Sequence, residues 1–190
     1  EAYRKLYTFT PPNWSQAFFI ENNQAFTEGL VAMNMNYFAF FPALANETTN
    51  PHAANTGYFA NPPGPHGDHH AALGGQGISI VSYSQNQEEA YKFLEWFIQE
   101  DVQKKWAELG GYTCHAAVLN SEEILNATPF NRAFAESMNI VKDFWAVPVF
   151  ADMLFQMNDR LHPYITTGEG DAKSALDALV EDWKATLERS

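Results

Sequence analysis

Residues His69–Phe97 read HHAALGGQGISIVSYSQNQEEAYKFLEWF. A loop-like start meets the run Gly74-Gly75-Gln76-Gly77, an apolar stretch follows, and the segment ends in a helical pattern. Ala90, Phe93, Leu94 and Phe97 fall at i, i+3, i+4 and i+7, one apolar face of an amphipathic helix. Asn86 with Glu89 three residues later predicts a capping box at its start. Ile78–Tyr83 predicts a β-strand. The glycine run lacks both the GxGxxG spacing and the Walker lysine. It also precedes a strand, whereas a phosphate loop lies between a strand and a helix N-terminus. A nucleotide is therefore a poor reading of these glycines, and a hinge or a close approach of a ligand to bare backbone is a better one.

On either side of this segment, helical patterns outnumber strand patterns. The stretch SQAFFIENNQAFTEG from Ser15 predicts a helix that Gly29 closes. LVAMNMNYF then alternates, with Val31, Met33, Met35 and Tyr37 on one side and Ala32, Asn34 and Asn36 on the other, which predicts a strand. Residues 46 to 72 read as loop. Val102, Trp106 and Leu109 mark a second helical segment after Phe97, which stops at Gly110-Gly111. Ser121 predicts the cap of a short helix, and Thr128-Pro129 the N-cap and first residue of another. A helix from about Phe150 to Tyr164 is expected to be interrupted at Pro163. Asp171 opens the last helix, with Leu176, Leu179, Val180, Trp183 and Leu187 along its buried stripe. Three or four strands among many helices, with separations long enough for crossovers, predict an α/β fold.

The composition narrows the partners. Lys and Arg number 11 against 23 Asp and Glu, for a net charge of -12. Such a chain repels nucleic acid and anionic membrane surfaces. Cys114 is the only cysteine, so no intrachain disulfide and no cysteine-based zinc site can form. No apolar run approaches the length of a membrane span. The chain opens at Glu1 as though inside a helix, without an initiator Met or a signal sequence, and is expected to be a piece of a longer protein.

Aromatic residues make up 15% of the chain, more than a core alone calls for. Several sit beside amides at the ends of the expected elements: Asn36-Tyr37-Phe38, Gly74-Gly75-Gln76 and Gly111-Tyr112-Thr113. Aromatic faces next to amides suit a sugar, whose C–H face stacks while its hydroxyls need donors and acceptors. Simple interior packing of Tyr37 and Phe38 is the competing reading. The cluster His66-Gly67-Asp68-His69-His70 has metal-ligand residue types, but neighbouring histidines point to opposite faces of an extended chain, so a polar surface loop is the better reading. No GxSxG elbow is present. The sequons at Asn13, Asn46 and Asn126 are no more than an Asn-rich chain gives by chance.

The order of three segments carries a family likeness. NNQAFTEGLVAMNMNYFAFFPAL, then HAALGGQGISIVSYSQNQEEAYKFLEWFIQEDVQKKWAELGGYT, then VPVFADMLFQMNDRLHPYITTGEGDAKSALDALVEDWKATL resemble the C-terminal half of the extracellular solute-binding proteins, family 1, that serve sugar ABC transporters. The likeness covers nearly this whole chain and about half of a full family member. It implies a periplasmic-binding-protein type II fold, with two lobes and a ligand cleft between them. Residues 1–72 would form part of the C-terminal lobe and 73–147 part of the N-terminal lobe. Residues 148–190 would return to the C-terminal lobe.

Site residues carry over singly. Tyr37 matches a position where relatives commonly stack a Trp on sugar, and Asn36 and Phe38 flank it. Gly74 and Gly75 match the glycine pair at the cleft, and Gln76 stands where relatives often carry Trp. Gly111 and Tyr112 match a cleft loop, but Thr113-Cys114-His115 replace the usual Pro and following Arg. Phe150 falls near a second aromatic position. The resemblance implies a non-enzymatic protein that captures a mono- or oligosaccharide and delivers it to permease subunits. It implies no cofactor, and a periplasmic or extracellular location with or without a lipid anchor. A polyamine or metal ion on the same scaffold is the alternative. A glycan-active enzyme is a third, with Asp143 and Asp152 as the carboxylates to consider. Sheet edges left bare in a part-chain would also favour self-association.

Overall fold

The computed structural model describes residues 1–12 and 14–189; Asn13, with its sequon, lies outside them. Along the chain the helices are α1 (Ala2–Tyr7), α2 (Phe19–Thr27), α3 (Phe41–Ala45), α4 (Gln87–Phe97), α5 (Glu100–Glu108), α6 (Ala116–Leu119), α7 (Glu122–Leu125), α8 (Asn131–Met138), α9 (Phe150–Thr167) and α10 (Ala172–Glu188). The strands are β1 (Ala71–Ala72) and β2 (Val141–Lys142). Two compact units divide the chain: residues 1–36 with 144–190, and residues 37–143.

In the first unit α9 and α10 form a helical hairpin. Gly168 closes α9 at φ 81, and the Asp171 carboxylate accepts from the Ser174 amide at 3.0 Å to start α10. Their apolar stripes meet at Met153 and Leu179, both buried. Polar ties lie alongside: Trp183 Nε1 donates to the Met153 carbonyl at 2.9 Å, and Gln156 Nε2 to Thr186 Oγ1 at 2.8 Å. Arg160 grips Asp182 through two bonds of 2.6 and 3.2 Å. The bridge is exposed, so it fixes geometry more than it adds stability. Helix α9 runs through Pro163 instead of ending there. The proline falls near the helix end, where one lost donor breaks little, and its carbonyl still receives the Thr167 hydroxyl at 2.9 Å.

Helix α2 ends as its glycine predicts. Gly29 has φ 71, its amide donates to the Phe26 carbonyl, and the Leu30 amide donates to the Ala25 carbonyl. This is a Schellman closure.

The second unit is built on an aromatic cluster. Phe38, Phe41, Tyr58, Tyr112, Phe130 and Phe134 meet with ring centroids 4.6 to 6.1 Å apart. Asn50, fully buried, holds the loop below: its Nδ2 donates to the Leu44 carbonyl at 2.6 Å and its Oδ1 accepts from the His52 amide at 3.0 Å. Strands β1 and β2 pair in parallel, Ala71 against Val141 and Ala72 against Lys142. A parallel pair needs a crossover, and α4 to α8 supply it.

The fold corrects several expectations. Neither the 31–37 stretch nor Ile78–Tyr83 forms a strand, and the one sheet among the described residues starts inside the expected loop. A strand needs an edge to pair with, and these stretches lack one. Met33 and Met35 are 77% and 72% exposed, Ile78 and Tyr83 58% and 81%. The Asn34 and Asn36 amides hold the first stretch to α2, both donating to Asn23 Oδ1. The capping box is absent as well: no side chain caps α4 from Asn86, whose amide instead donates to Ser84 Oγ at 3.1 Å. Helix α8 begins at Asn131, because the Thr128 hydroxyl donates to the Asn131 side chain instead of capping a backbone amide. Ser121 does cap α7, accepting from the Ile124 amide at 3.4 Å.

Candidate functional site

The chain enters the second unit at Tyr37, whose backbone is extended (φ -71, ψ 146) before a single 3-10 turn over Phe38–Phe40. That geometry turns the Tyr37 ring onto Gly74. A Cβ built on Gly74 would lie 2.4 Å from Tyr37 Cε1 and 2.6 Å from Cδ1. The glycine is placed by the sheet: the Leu73 amide donates to the Lys142 carbonyl at 2.9 Å, and the ladder stops there. Gly74 to Gly77 then run exposed. A Cβ on Gly75 would meet only Leu73 Cδ1 at 3.9 Å, and one on Gly77 would meet nothing. The two glycines therefore differ. The missing side chain of Gly74 makes room for Tyr37, and that of Gly75 leaves backbone open to solvent.

A second group forms around the end of α5. Gly110, at φ 92, and Gly111 close that helix, their amides donating to the Ala107 and Trp106 carbonyls. The Trp106 ring lies over Gly111, where a Cβ would come within 2.2 Å of it. The Tyr112 hydroxyl donates to the Phe38 carbonyl, and its ring stands 4.8 Å from that of Phe134. Burial pushes its ionisation well above the ordinary tyrosine range. Thr113 is buried; its hydroxyl donates to Gln103 Oε1 at 2.8 Å and accepts from the His115 amide at 3.0 Å. Tyr112 and Thr113 line a hollow of about 420 Å³ with Pro42, Ala127, Phe130 and Phe134.

The structure thus brings Tyr37 to Gly74, and Phe38 to Tyr112. Gln76 is exposed, next in the chain to the open backbone of Gly75. Asn36 and Phe150 belong to the first unit. The Asn36 amide donates to the Phe19 carbonyl and to Asn23, and Phe150 packs 5.7 Å from Phe144. Asp143 and Asp152 fall in different units. His66, Asp68, His69 and His70 sit on an exposed loop, with His69 bonded to the Asn61 carbonyl. Among the described residues no group of three or more His, Cys, Asp or Glu is placed to hold a metal ion.

Sequence reasoning missed Gln103. It is 1% exposed, and besides holding Thr113 it donates from Nε2 to the Phe97 carbonyl at 2.8 Å. Its signal was a polar residue three before Trp106, on the face of α5 that carries the apolar stripe.

The bacterial extracellular solute-binding protein family matches residues 10–104. The chain belongs to that family. The match takes in Tyr37, Phe38 and the Gly74–Gln76 stretch, and stops short of Gly111–Thr113 and Phe150. No curated protein and no solved structure gives a significant match. Solute-binding proteins serve ABC transporters by carrying substrate outside the cytoplasm, and as a family they are generally non-enzymatic. No helix among the described residues is long and apolar enough to cross a membrane.

Proposed function

We propose that this solute-binding protein captures a carbohydrate and delivers it to the permease subunits of an ABC transporter. The observation that carries the reading is the half-buried Tyr37 ring standing against Gly74, with the open backbone of Gly75 and the Gln76 amide next in the chain. A pyranose presents an apolar C–H face and a rim of hydroxyls. An aromatic ring meets the first, and backbone groups and an amide meet the second. The acidic chain, at net charge -12, disfavours an anionic solute.

The test is a thermal-shift panel of neutral sugars, polyamines and divalent metal ions, since a ligand raises the midpoint of the fold it binds. A neutral sugar is expected to raise it, and release of new reducing ends is not expected. A midpoint raised by a polyamine or a metal ion, with sugars inert, contradicts the reading.

A further inference from the structure

The hollow beside Tyr112 differs in chemistry from the Tyr37 platform. At about 420 Å³ it falls in the lower part of the range of ligand cavities. Most of the polar side-chain groups on its wall are already engaged. The Tyr112 hydroxyl donates to Phe38, that of Thr113 to Gln103 at 2.8 Å, and that of Thr128 to Asn131 at 2.6 Å. The Asn131 amide donates to the Ile124 carbonyl at 2.5 Å, and Asn46 Oδ1 accepts from the Thr48 amide and hydroxyl. A free sugar has a hydroxyl on almost every ring carbon, and in the hollow most of those hydroxyls would lack side-chain partners. An apolar ring or short alkyl group loses nothing on entering and leaves water favourably. The hollow also adjoins the platform. Phe38, next in the chain to Tyr37, has its ring 5.3 Å from Phe134, which lines the hollow.

We infer that the ligand is a glycoside, its sugar ring at Tyr37 and Gly75 and its apolar aglycone in the hollow. The inference rests on the carbohydrate reading above. It assigns Gly111, Tyr112 and Thr113 to the aglycone and leaves the sugar to the platform.

NMR titration of the 190-residue chain tests it, because it reads affinities as weak as millimolar. Glucose, galactose, mannose and xylose are each compared with their phenyl glycosides, and benzyl alcohol serves as a sugar-free apolar probe. For at least one pair the phenyl glycoside is expected to bind about tenfold or more tightly than the free sugar, for partial burial of one ring. Its methyl shifts are expected at Ala45 and Ala127, both on the wall of the hollow. Ala127→Trp, at an exposed position on the wall, is expected to remove that advantage while leaving the free sugar's affinity and the melting curve unchanged. Equal affinities within every pair, or an advantage that survives Ala127→Trp, overturn the aglycone assignment and leave the carbohydrate reading standing. Benzyl alcohol binding as tightly as any glycoside, with free sugars inert, overturns the carbohydrate reading and the inference with it. A chain that binds nothing in the panel also overturns both.

Discussion

The Tyr37 ring fills the space that a side chain on Gly74 would need, 2.4 Å from where its Cβ would stand, while the neighbouring Gly75 backbone is open. Two adjacent glycines therefore answer to different constraints. Gly74→Ala forces the Tyr37 ring aside and is expected to destabilise the chain by about 1–3 kcal/mol, the usual cost of overpacking. Gly75→Ala meets no such neighbour and is expected to change stability by less than about 0.5 kcal/mol. Urea unfolding of the two variants checks the contrast; equal losses would place Tyr37 elsewhere.

Gln103 is expected to be a costly polar residue to replace. Gln103→Leu strips the Thr113 hydroxyl and the Phe97 carbonyl of their buried partner. Each orphaned group costs about 1–3 kcal/mol, so a loss of about 2–6 kcal/mol is expected in denaturant melts. Gln103→Glu is expected to recover part of that at acid pH. The protonated acid can then donate to Phe97 and accept from Thr113 as the amide does.

How far the sequence showed this architecture depends on whether a signal was local. Gly29, Ser121 and Asp171 terminate or start helices where they were expected to, because caps act within one turn. The expected strands at 31–37 and 78–83 failed because alternation describes a face and cannot supply a partner strand. Asn34 and Asn36 found amide partners on α2, and Ile78 and Tyr83 stayed in solvent. Pairing Tyr37 with Gly74 spans 37 residues, and composition gave no sign of it; the family resemblance placed both at one site without their contact. Gln103 was legible only as a polar residue in an apolar row.

Two tyrosines are expected to respond oppositely to loss of their hydroxyls. Tyr58 Oη is buried without a hydrogen-bond partner in the aromatic cluster. Tyr58→Phe removes that unsatisfied group and is expected to stabilise the fold by about 1 kcal/mol. Tyr112→Phe leaves the Phe38 carbonyl without its donor and is expected to destabilise it by a similar amount, about 1 kcal/mol. Burial raises the ionisation of Tyr112 in the folded state. Its contribution to stability is therefore complete below the ordinary tyrosine pKa and lost as the pH rises through the higher folded value. Absorbance titration is expected to show Tyr112 ionising above the ordinary tyrosine range.

Acid is expected to loosen the start of α10. The Ser174 hydroxyl, and then its amide, hold the Asp171 carboxyl below its ordinary value of 3.8. The unfolded chain therefore takes up this proton at a higher pH than the folded one. The cap's stabilisation is full above the ordinary value and is lost as the pH falls through the folded one. Asp171→Asn keeps an acceptor for the Ser174 amide without a charge. Its melting temperature is expected to fall less than that of the parent between about pH 6 and about pH 3.

Tyr37 and the open glycine backbone are proposed as the carbohydrate platform of this solute-binding protein. This assignment is tested most directly by mapping a sugar that raises the melting midpoint onto the chain by amide and aromatic NMR shifts, in the parent and in Gly75→Trp. Shifts are expected to concentrate at Tyr37, Gly74, Gly75 and Gln76, and the Gly75→Trp variant is expected to fold and no longer bind. Sugar shifts that leave these residues untouched, or unchanged affinity in Gly75→Trp, would contradict it.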